Sequence, residues 1–455
     1  MEEIKHTKAQ LEAIEHDSGP ALVVAGAGTG KTALITQRIA RLILTGKAKP
    51  EEVLALTFTE KAAAEMQQRV DEMLPYGYVD TQIMTFHALA ERLLREYALD
   101  AGLSPEFKIL NEVQQTVVMQ EVLAKAKFEY FNPQHHPFAF IGAIRQAVSR
   151  LKDEGIDAAE YQQRLSKLPK LDPEDFQPLS EFAMVYSGYS TKCEKINGLD
   201  FGDLLIKLQQ LLVNRQRIHQ EIVEKYKYIL VDEFQDTNTL QMKILQLLLN
   251  KSNNIMVVGD DEQAIYRFRG ASVQNILSFN KIFPGSRLIV LKDNFRSGQD
   301  ILDAGYRLIQ NNNPLRLEVS EKIDIRLVSK AHNTAKVIAL EYKNKMSEVD
   351  AVAEKIKELV SDGVEQKNIA ILLRKNSQIK PYIQSLQKNK LEYYVHQDVE
   401  LFDQTSVKTV VALCAVLCDL NDSKALFQLL ISGFFKGIDS SRVVDLAATA
   451  RRQNS

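Results

Sequence analysis

Residues Ala25-Gly26-Ala27-Gly28-Thr29-Gly30-Lys31-Thr32 leave this chain little choice of fold. The alternating glycines admit backbone conformations that other residues avoid, so that successive N–H groups can turn inward around an anion. A continuous apolar run, Ala21 to Ala25, comes immediately before, and a helical pattern follows from about Lys31 to Thr45. Strand, glycine-rich turn and helix in that order place the turn at a helix N-terminus, where unpaired N–H groups and the helix dipole favour phosphate. Lys31 would neutralise the outer phosphates, and the Thr32 hydroxyl would ligate Mg²⁺. An apolar run of this kind reads as a strand buried on both faces, which predicts a parallel α/β sheet around it.

The rest of the chain keeps to that plan. Glu52 to Phe58 predicts a second strand and Glu60 to Glu72 a helix, and strand patterns return at Tyr228–Val231 and Ile255–Val258. Between about residues 88 and 200 helical periodicity dominates, which predicts a helical insertion. A further α/β block is expected from Ile282, with strands at Arg287–Leu291, Ile323–Val328 and Ile369–Leu373 and helices near 298–310 and 348–359. Beyond Phe402 the pattern is helical again.

Composition excludes some classes. With 45% hydrophobic and 25% charged residues the chain is globular rather than disordered. It has no apolar stretch of about 18 residues, so no membrane partner is expected. The acidic, amphipathic N-terminus is unlike a secretory signal. A formal charge of −2 points to no nucleic acid by itself, so any such contact must come from a local groove. Three cysteines, Cys193, Cys414 and Cys418, suit a reducing, cytoplasmic setting. The last two, four apart in an apolar helical run, are expected as buried thiols rather than metal ligands.

A phosphate loop needs a carboxylate at the tip of a neighbouring buried strand. Tyr228–Val231 runs directly into Asp232 and Glu233: Asp232 can help hold Mg²⁺, and Glu233 can accept the proton of an attacking water. These groups account for nucleotide hydrolysis and for nothing more specific.

Longer strings narrow the reading. Ile229 to Asn238 contains Asp232-Glu233-Phe234-Gln235-Asp236-Thr237-Asn238, and Val258 to Ala271 contains Gly259-Asp260-Asp261-Glu262-Gln263 followed by Tyr266, Phe268 and Arg269. Leu56 to Met66, Thr85-Phe86-His87-Ala88-Leu89, Asn294-Phe295-Arg296-Ser297 and Thr7-Lys8-Ala9-Gln10 complete the set. In this order they resemble the motifs of superfamily 1 DNA helicases of the UvrD/Rep/PcrA group. The resemblance implies two RecA-like P-loop motor domains, each with a helical insertion, and an ATP-dependent motor that moves 3′-to-5′ on single-stranded DNA to open duplexes in repair, replication or recombination. It implies ATP and Mg²⁺ as ligands, and single-stranded or partially duplex DNA as partner. Gln10 would read the adenine edge and Phe295 would stack on it. Arg296 and Gln263 would meet the γ-phosphate. Phe58, Thr85, Phe86, Tyr266, Phe268 and Arg269 would line the DNA path. His87 is open between a place beside the DNA and a hydrogen-bonded structural role. Asp200-Phe201-Gly202-Asp203-Leu204-Leu205 resembles another family segment, to which no chemistry is assigned.

There are departures. Phe295 and Phe268 stand where the family often has Tyr and Trp, and the chain has no Trp. The motifs H-x-x-K-G-L-E and T-R-A, the latter carrying an arginine finger, are not found, so the chain is expected to be part of a longer protein. The expected limits are 1–88 with 200–280 for the first motor domain, 89–199 for its insertion, 281–402 for part of the second motor domain and 403–455 for the start of its insertion. A helicase–nuclease subunit resembling AddA or RecB is one alternative, and a DNA-binding regulatory module without turnover is another. A transporter-type ATPase or a GTPase is disfavoured, since LSGGQ-like and NKxD-like segments are not found.

Overall fold

A computed structural model of the protein describes residues 6–75, 80–125, 128–131, 140–168, 172–266, 270–331, 336–395, 405–418, 420, 422–432, 435 and 443. The chain divides into two compact units, Met1–Val337 and Ile338–Ser455.

In the first unit the strands are β1 (Ala21–Ala25), β2 (Val53–Thr57), β3 (Gln82–Thr85), β4 (Lys108–Ile109), β5 (Gly198–Leu199), β6 (Tyr228–Val231), β7 (Ile255–Gly259), β8 (Arg287–Leu291), β9 (Asp293–Asn294) and β10 (Val328–Ser329). Six of them form one sheet in the order β3-β2-β6-β7-β1-β8, every pair parallel. Successive side chains go to opposite faces. Ala21, Val23 and Ala25, with Val53, Ala55 and Leu230, pack against the helices Lys8–Glu15, Lys31–Leu44 and Glu60–Met73. Leu22, Val24, Leu54, Leu56, Ile229 and Val231 pack on the other side against Phe86–Glu96, Phe201–Asn214 and Thr239–Leu248. A sheet covered on both faces explains why its strands read as unbroken apolar runs. This is the doubly wound arrangement of a RecA-like P-loop motor domain.

The sheet holds one difference from the sequence reading. Arg287–Leu291 was expected in the following α/β block, but it pairs in register with β1 and forms the sheet's edge. The run Ile323–Val328 yields only the short β10 at its C-terminal end, paired in parallel with β9.

The helices Glu112–Lys125, Ile141–Asp153, Ala158–Ser166 and Pro173–Lys195 build a separate core around Met119, Ile144, Tyr186 and Tyr189. These helices lie within the stretch, residues 88 to 200, where the sequence shows helical periodicity. The last turn of Ile141–Asp153 carries Lys152, whose ammonium lies 2.7 Å from Asp200 and 2.6 Å from Asp203. Tyr189 donates its hydroxyl to the same Asp200 oxygen at 2.9 Å. Asp200 is also the side-chain N-cap of Phe201–Asn214. The acidic segment left without chemistry is therefore a structural joint.

The second unit, taken by itself, packs the helix Lys345–Ser361 on Ile379–Lys388 around Ala353, Leu386 and Leu391. The strand expected at Ile369–Leu373 does not form: among the described residues no strand pairs with it, and Leu372 is 93% exposed. The helices Thr405–Cys418 and Ser423–Ile431 lie together, and Cys414 and Cys418 are exposed rather than buried. The longer helix carries more apolar positions than its neighbour covers, since Val410, Val411 and Leu417 are exposed too. Among the described residues no helix is long and apolar enough to cross a membrane.

Candidate functional site

Because the six strands run parallel, their C-terminal ends meet at one edge, where loops from different parts of the chain converge. Gly28 (φ 79°) and Gly30 (φ 89°) adopt the left-handed backbone at the two sharp bends of the loop after β1. Thr29 closes the loop on itself, donating its hydroxyl to the Gly26 carbonyl at 2.8 Å. Gly30 caps the helix Lys31–Leu44, so Lys31 and Thr32 occupy its first turn.

Lys31 is 8% exposed, and its ammonium lies 2.7 Å from Glu233 Oε2 and 3.4 Å from Gln263 Oε1. Thr32 Oγ1 donates to Asp232 Oδ2 at 3.4 Å. Burial, and next the charge of Glu233, push Asp232 up to about 6. Two hard oxygen donors facing each other, one of them a carboxylate stressed by burial, fit Mg²⁺, which takes one or two protein oxygens beside phosphate and water. Glu233 itself sits at φ 48°, a left-handed conformation that a non-glycine residue keeps only where its surroundings enforce it.

The loop after β7 faces these carboxylates. Gln263 donates Nε2 to Asp260 at 2.6 Å, which leaves its Oε1 directed at Lys31. Gln235 bridges the two loops, donating to Glu233 Oε2 at 2.7 Å and accepting from the Asp260 N–H at 3.0 Å. Gln235 was not singled out from sequence; it lies inside the long Asp232–Asn238 string, but one amide gives no hint of bridging two strands.

Gln10 and the 294–296 segment close the loop from other sides. Gln10 Oε1 accepts from the Thr7 N–H, and its Nε2 donates to the Thr29 carbonyl at 3.0 Å. Arg38, from the phosphate-loop helix, donates to the Ala13, Ile14 and His16 carbonyls and so holds the helix bearing Gln10. Asn294 donates to the Ala27 carbonyl and accepts from the Arg296 and Ser297 N–H groups at 3.0 and 2.8 Å. Phe295 donates its N–H to the Gly28 carbonyl, and the residue is 49% exposed beside the loop. A side chain at Gly28 would meet Arg296 Cβ at 2.7 Å. Asn294, absent from the candidate residues, thus fastens the segment to the phosphate loop.

Beside the carboxylates lies a cavity of about 280 Å³, walled by Thr57, Phe58 and Thr59, by Thr85, Phe86 and His87, and by Asp232, Glu233 and Asp236. Burial, then the Glu233 charge, also push Asp236 up to about 6. Phe58 and Tyr266 stack at its mouth, ring centroids 5.4 Å apart and planes 25° apart. Phe86 lines the cavity, but most of its ring is in the main core. Thr85 caps the helix Phe86–Glu96 and donates its hydroxyl to Glu60 at 2.6 Å. His87 packs edge-on to Phe201 at 5.5 Å, and burial holds it below the ordinary histidine value. Phe268 and Arg269 lie outside the described residues.

Comparison with known proteins agrees with this geometry. Residues 6–284 match the UvrD/REP helicase N-terminal domain, and residues 289–453 the UvrD-like helicase C-terminal domain. The chain is 32% identical over 448 residues to the ATP-dependent DNA helicase PcrA of Staphylococcus aureus, and 32% identical over 445 residues to that of Staphylococcus epidermidis. In each case the match covers 98% of this chain and 58% of the relative's length. The strand-tip carboxylates, the phosphate loop and both domain matches agree: the chain belongs to the UvrD/REP helicase family.

Proposed function

We propose that this chain is the motor portion of an ATP-dependent DNA helicase that translocates 3′-to-5′ on single-stranded DNA and opens duplexes in repair, replication or recombination. One observation carries the reading. The residues that would handle ATP, Asp232 and Glu233, and those that would handle bases, Phe58 and the Thr85–His87 turn, share the walls of a single cavity. A change at the phosphate therefore has a short path to the DNA side. In this reading residues 1–88 and 200–280, with β8 added, form the first motor domain and 89–199 its insertion. Residues from 292 to 402 belong to the second motor domain, and 403–455 to its insertion.

The chemistry follows from the contacts. The loop N–H groups of Ala27 to Thr32 would surround the phosphates. Incoming phosphate competes with Glu233 for Lys31, which frees Glu233 Oε2 to take the proton of an attacking water. Mg²⁺, held by Thr32 and Asp232, would supply charge neutralisation of the β- and γ-phosphates. Gln263, turned toward Lys31, would register whether the γ-phosphate is present, and Arg296 would reach the same group from beside Gly28. Phe295 offers its exposed ring to the adenine; the Gln10 amide, held by Thr7 and Thr29, would reach the base by giving up one of these bonds. Phe58 and Tyr266, with Phe268 and Arg269, would receive bases and phosphates of one strand. The sparse cysteines accord with a cytoplasmic setting.

Steady-state ATP hydrolysis by the full-length protein, with and without single-stranded DNA, tests this. Stimulation by DNA that disappears in Lys31→Ala is the expected result, and a full-length protein with no turnover under either condition refutes the motor. Displacement of a protein block from the 5′ end of a DNA strand, but not from the 3′ end, is expected for the stated polarity.

A further inference from the structure

The segment after the helix Gln299–Ile309 returns to the loop that carries Gln263. Arg316 is 2% exposed, and its guanidinium spans two carboxylates: Nη2 donates to Glu262 Oε1, and Nη1 lies 2.8 Å from Glu318 Oε2. The next residue, Leu317, donates its N–H to Asp261 Oδ2 at 2.9 Å. Tyr306, from the preceding helix, donates its hydroxyl to Glu318 at 2.8 Å and lies against the guanidinium at 5.6 Å. Each acidic residue before Gln263 is therefore held: Asp260 by Gln235, Asp261 by Leu317 and Glu262 by Arg316.

Packing alone does not call for an arginine here. A buried ion pair replaced by apolar side chains of similar volume is often as stable, because the charges must be desolvated. A planar guanidinium adds direction, fixing its carboxylates in one geometry. The polypeptide that supplies it also carries Asn294 and Arg296 at its other end, joined by the helix Gln299–Ile309. One stretch of chain thus touches the phosphate loop through Asn294 and the Gln263 loop through Arg316.

We propose that Arg316 is a positioning residue. By clamping Glu262 it keeps Gln263 Oε1 turned toward Lys31, and it ties the loop that would register the γ-phosphate to the segment bearing Arg296. The inference rests on the motor reading above and adds to it a residue outside the recognised motifs.

The test uses Arg316→Met, which keeps bulk and removes the fork, in the full-length protein. Hydrogen exchange of the Asp260–Tyr266 amides is expected to speed up by roughly tenfold. DNA-stimulated kcat is expected to fall roughly 10- to 100-fold while affinity for a fluorescent ATP analogue stays within about twofold of wild type. Arg316→Lys should recover part of the turnover. If the single variant does not fold, Arg316→Met with Glu262→Gln removes the stranded charge and takes its place, with the same losses expected. Wild-type exchange and turnover overturn the proposal. So does an equal loss of affinity and turnover, which would mark Arg316 as support for the fold. A wild-type protein that hydrolyses no ATP sinks the motor reading instead, and amide exchange then decides the clamp alone.

Discussion

At the scale of single residues, the site depends on backbone conformations that side chains alone do not explain. Gly28 combines a left-handed φ of 79° with Arg296 Cβ only 2.7 Å from where its own Cβ would stand. Gly28→Ala must therefore pay strain and push the 294–296 segment away from the loop. A loss of nucleotide affinity of roughly tenfold is expected, from about 1–3 kcal/mol of backbone strain, with smaller changes in melting temperature. Titration with a fluorescent nucleotide checks this, and unaltered affinity would mean that the loop can shift without consequence. Glu233 is the complementary case: it holds a left-handed conformation without glycine because Lys31 and Gln235 grip its carboxylate.

At the scale of elements, a buried charge cluster ties the helix Ile141–Asp153 to the helix Phe201–Asn214 on the sheet. Although burial works against it, Lys152 keeps Asp200 ionised below the ordinary carboxylate value. Lys152→Met would leave two buried carboxylates without their cation and is expected to cost about 3–5 kcal/mol, read as a lower urea midpoint. Asp153, next along the same helix, accepts from Asn238 Nδ2 at 2.8 Å, so the joint reaches the Asp232–Asn238 string. Burial, against that hydrogen bond, pushes Asp153 from 3.8 up to about 7. The folded chain therefore holds this proton more tightly than the unfolded chain, and the associated stability is lost as pH rises from about 4 to about 7. Asp153→Asn does not titrate and should gain roughly 1–2 kcal/mol on wild type across that window, allowing for partial exposure. Parallel stability curves from pH 4 to 8 would contradict it.

At the scale of the whole molecule, every observed partner of the phosphate loop belongs to the first compact unit: Gln10, Glu233, Gln263 and Asn294 all precede Val337. Although it cuts the proposed second motor domain, a chain ending at Val337 keeps all four contacts and is expected to bind nucleotide within about threefold of the affinity of the 455-residue chain. Calorimetry on the two forms checks this; failure of the shorter chain to bind would mean that the second unit contributes contacts to the nucleotide. Arg38 and Gln10 illustrate the same economy, since the helix that opens on Lys31 also anchors the helix that braces its loop.

The strand–turn–helix at 21–44, the acidic pair after β6 and the helical texture of the insertion were legible in the sequence because each is local. Glycine at a left-handed bend, an apolar run on a doubly covered sheet and a carboxylate at a strand tip are each specified by neighbours along the chain. What depends on distant partners was not legible. Only the tertiary structure put Arg287–Leu291 beside β1, committed the Gln10 amide to Thr7 and Thr29, sent Phe86 into the core while Phe58 stayed at the cavity mouth, and left Cys414 and Cys418 exposed. A strand's sheet, an amide's partners and a side chain's burial are set by residues tens to hundreds of positions away. The glycine-rich turn at the head of its helix is therefore set by eight consecutive residues, whereas the ion pair that holds the Gln263 loop forms only when Arg316 folds back onto Glu262.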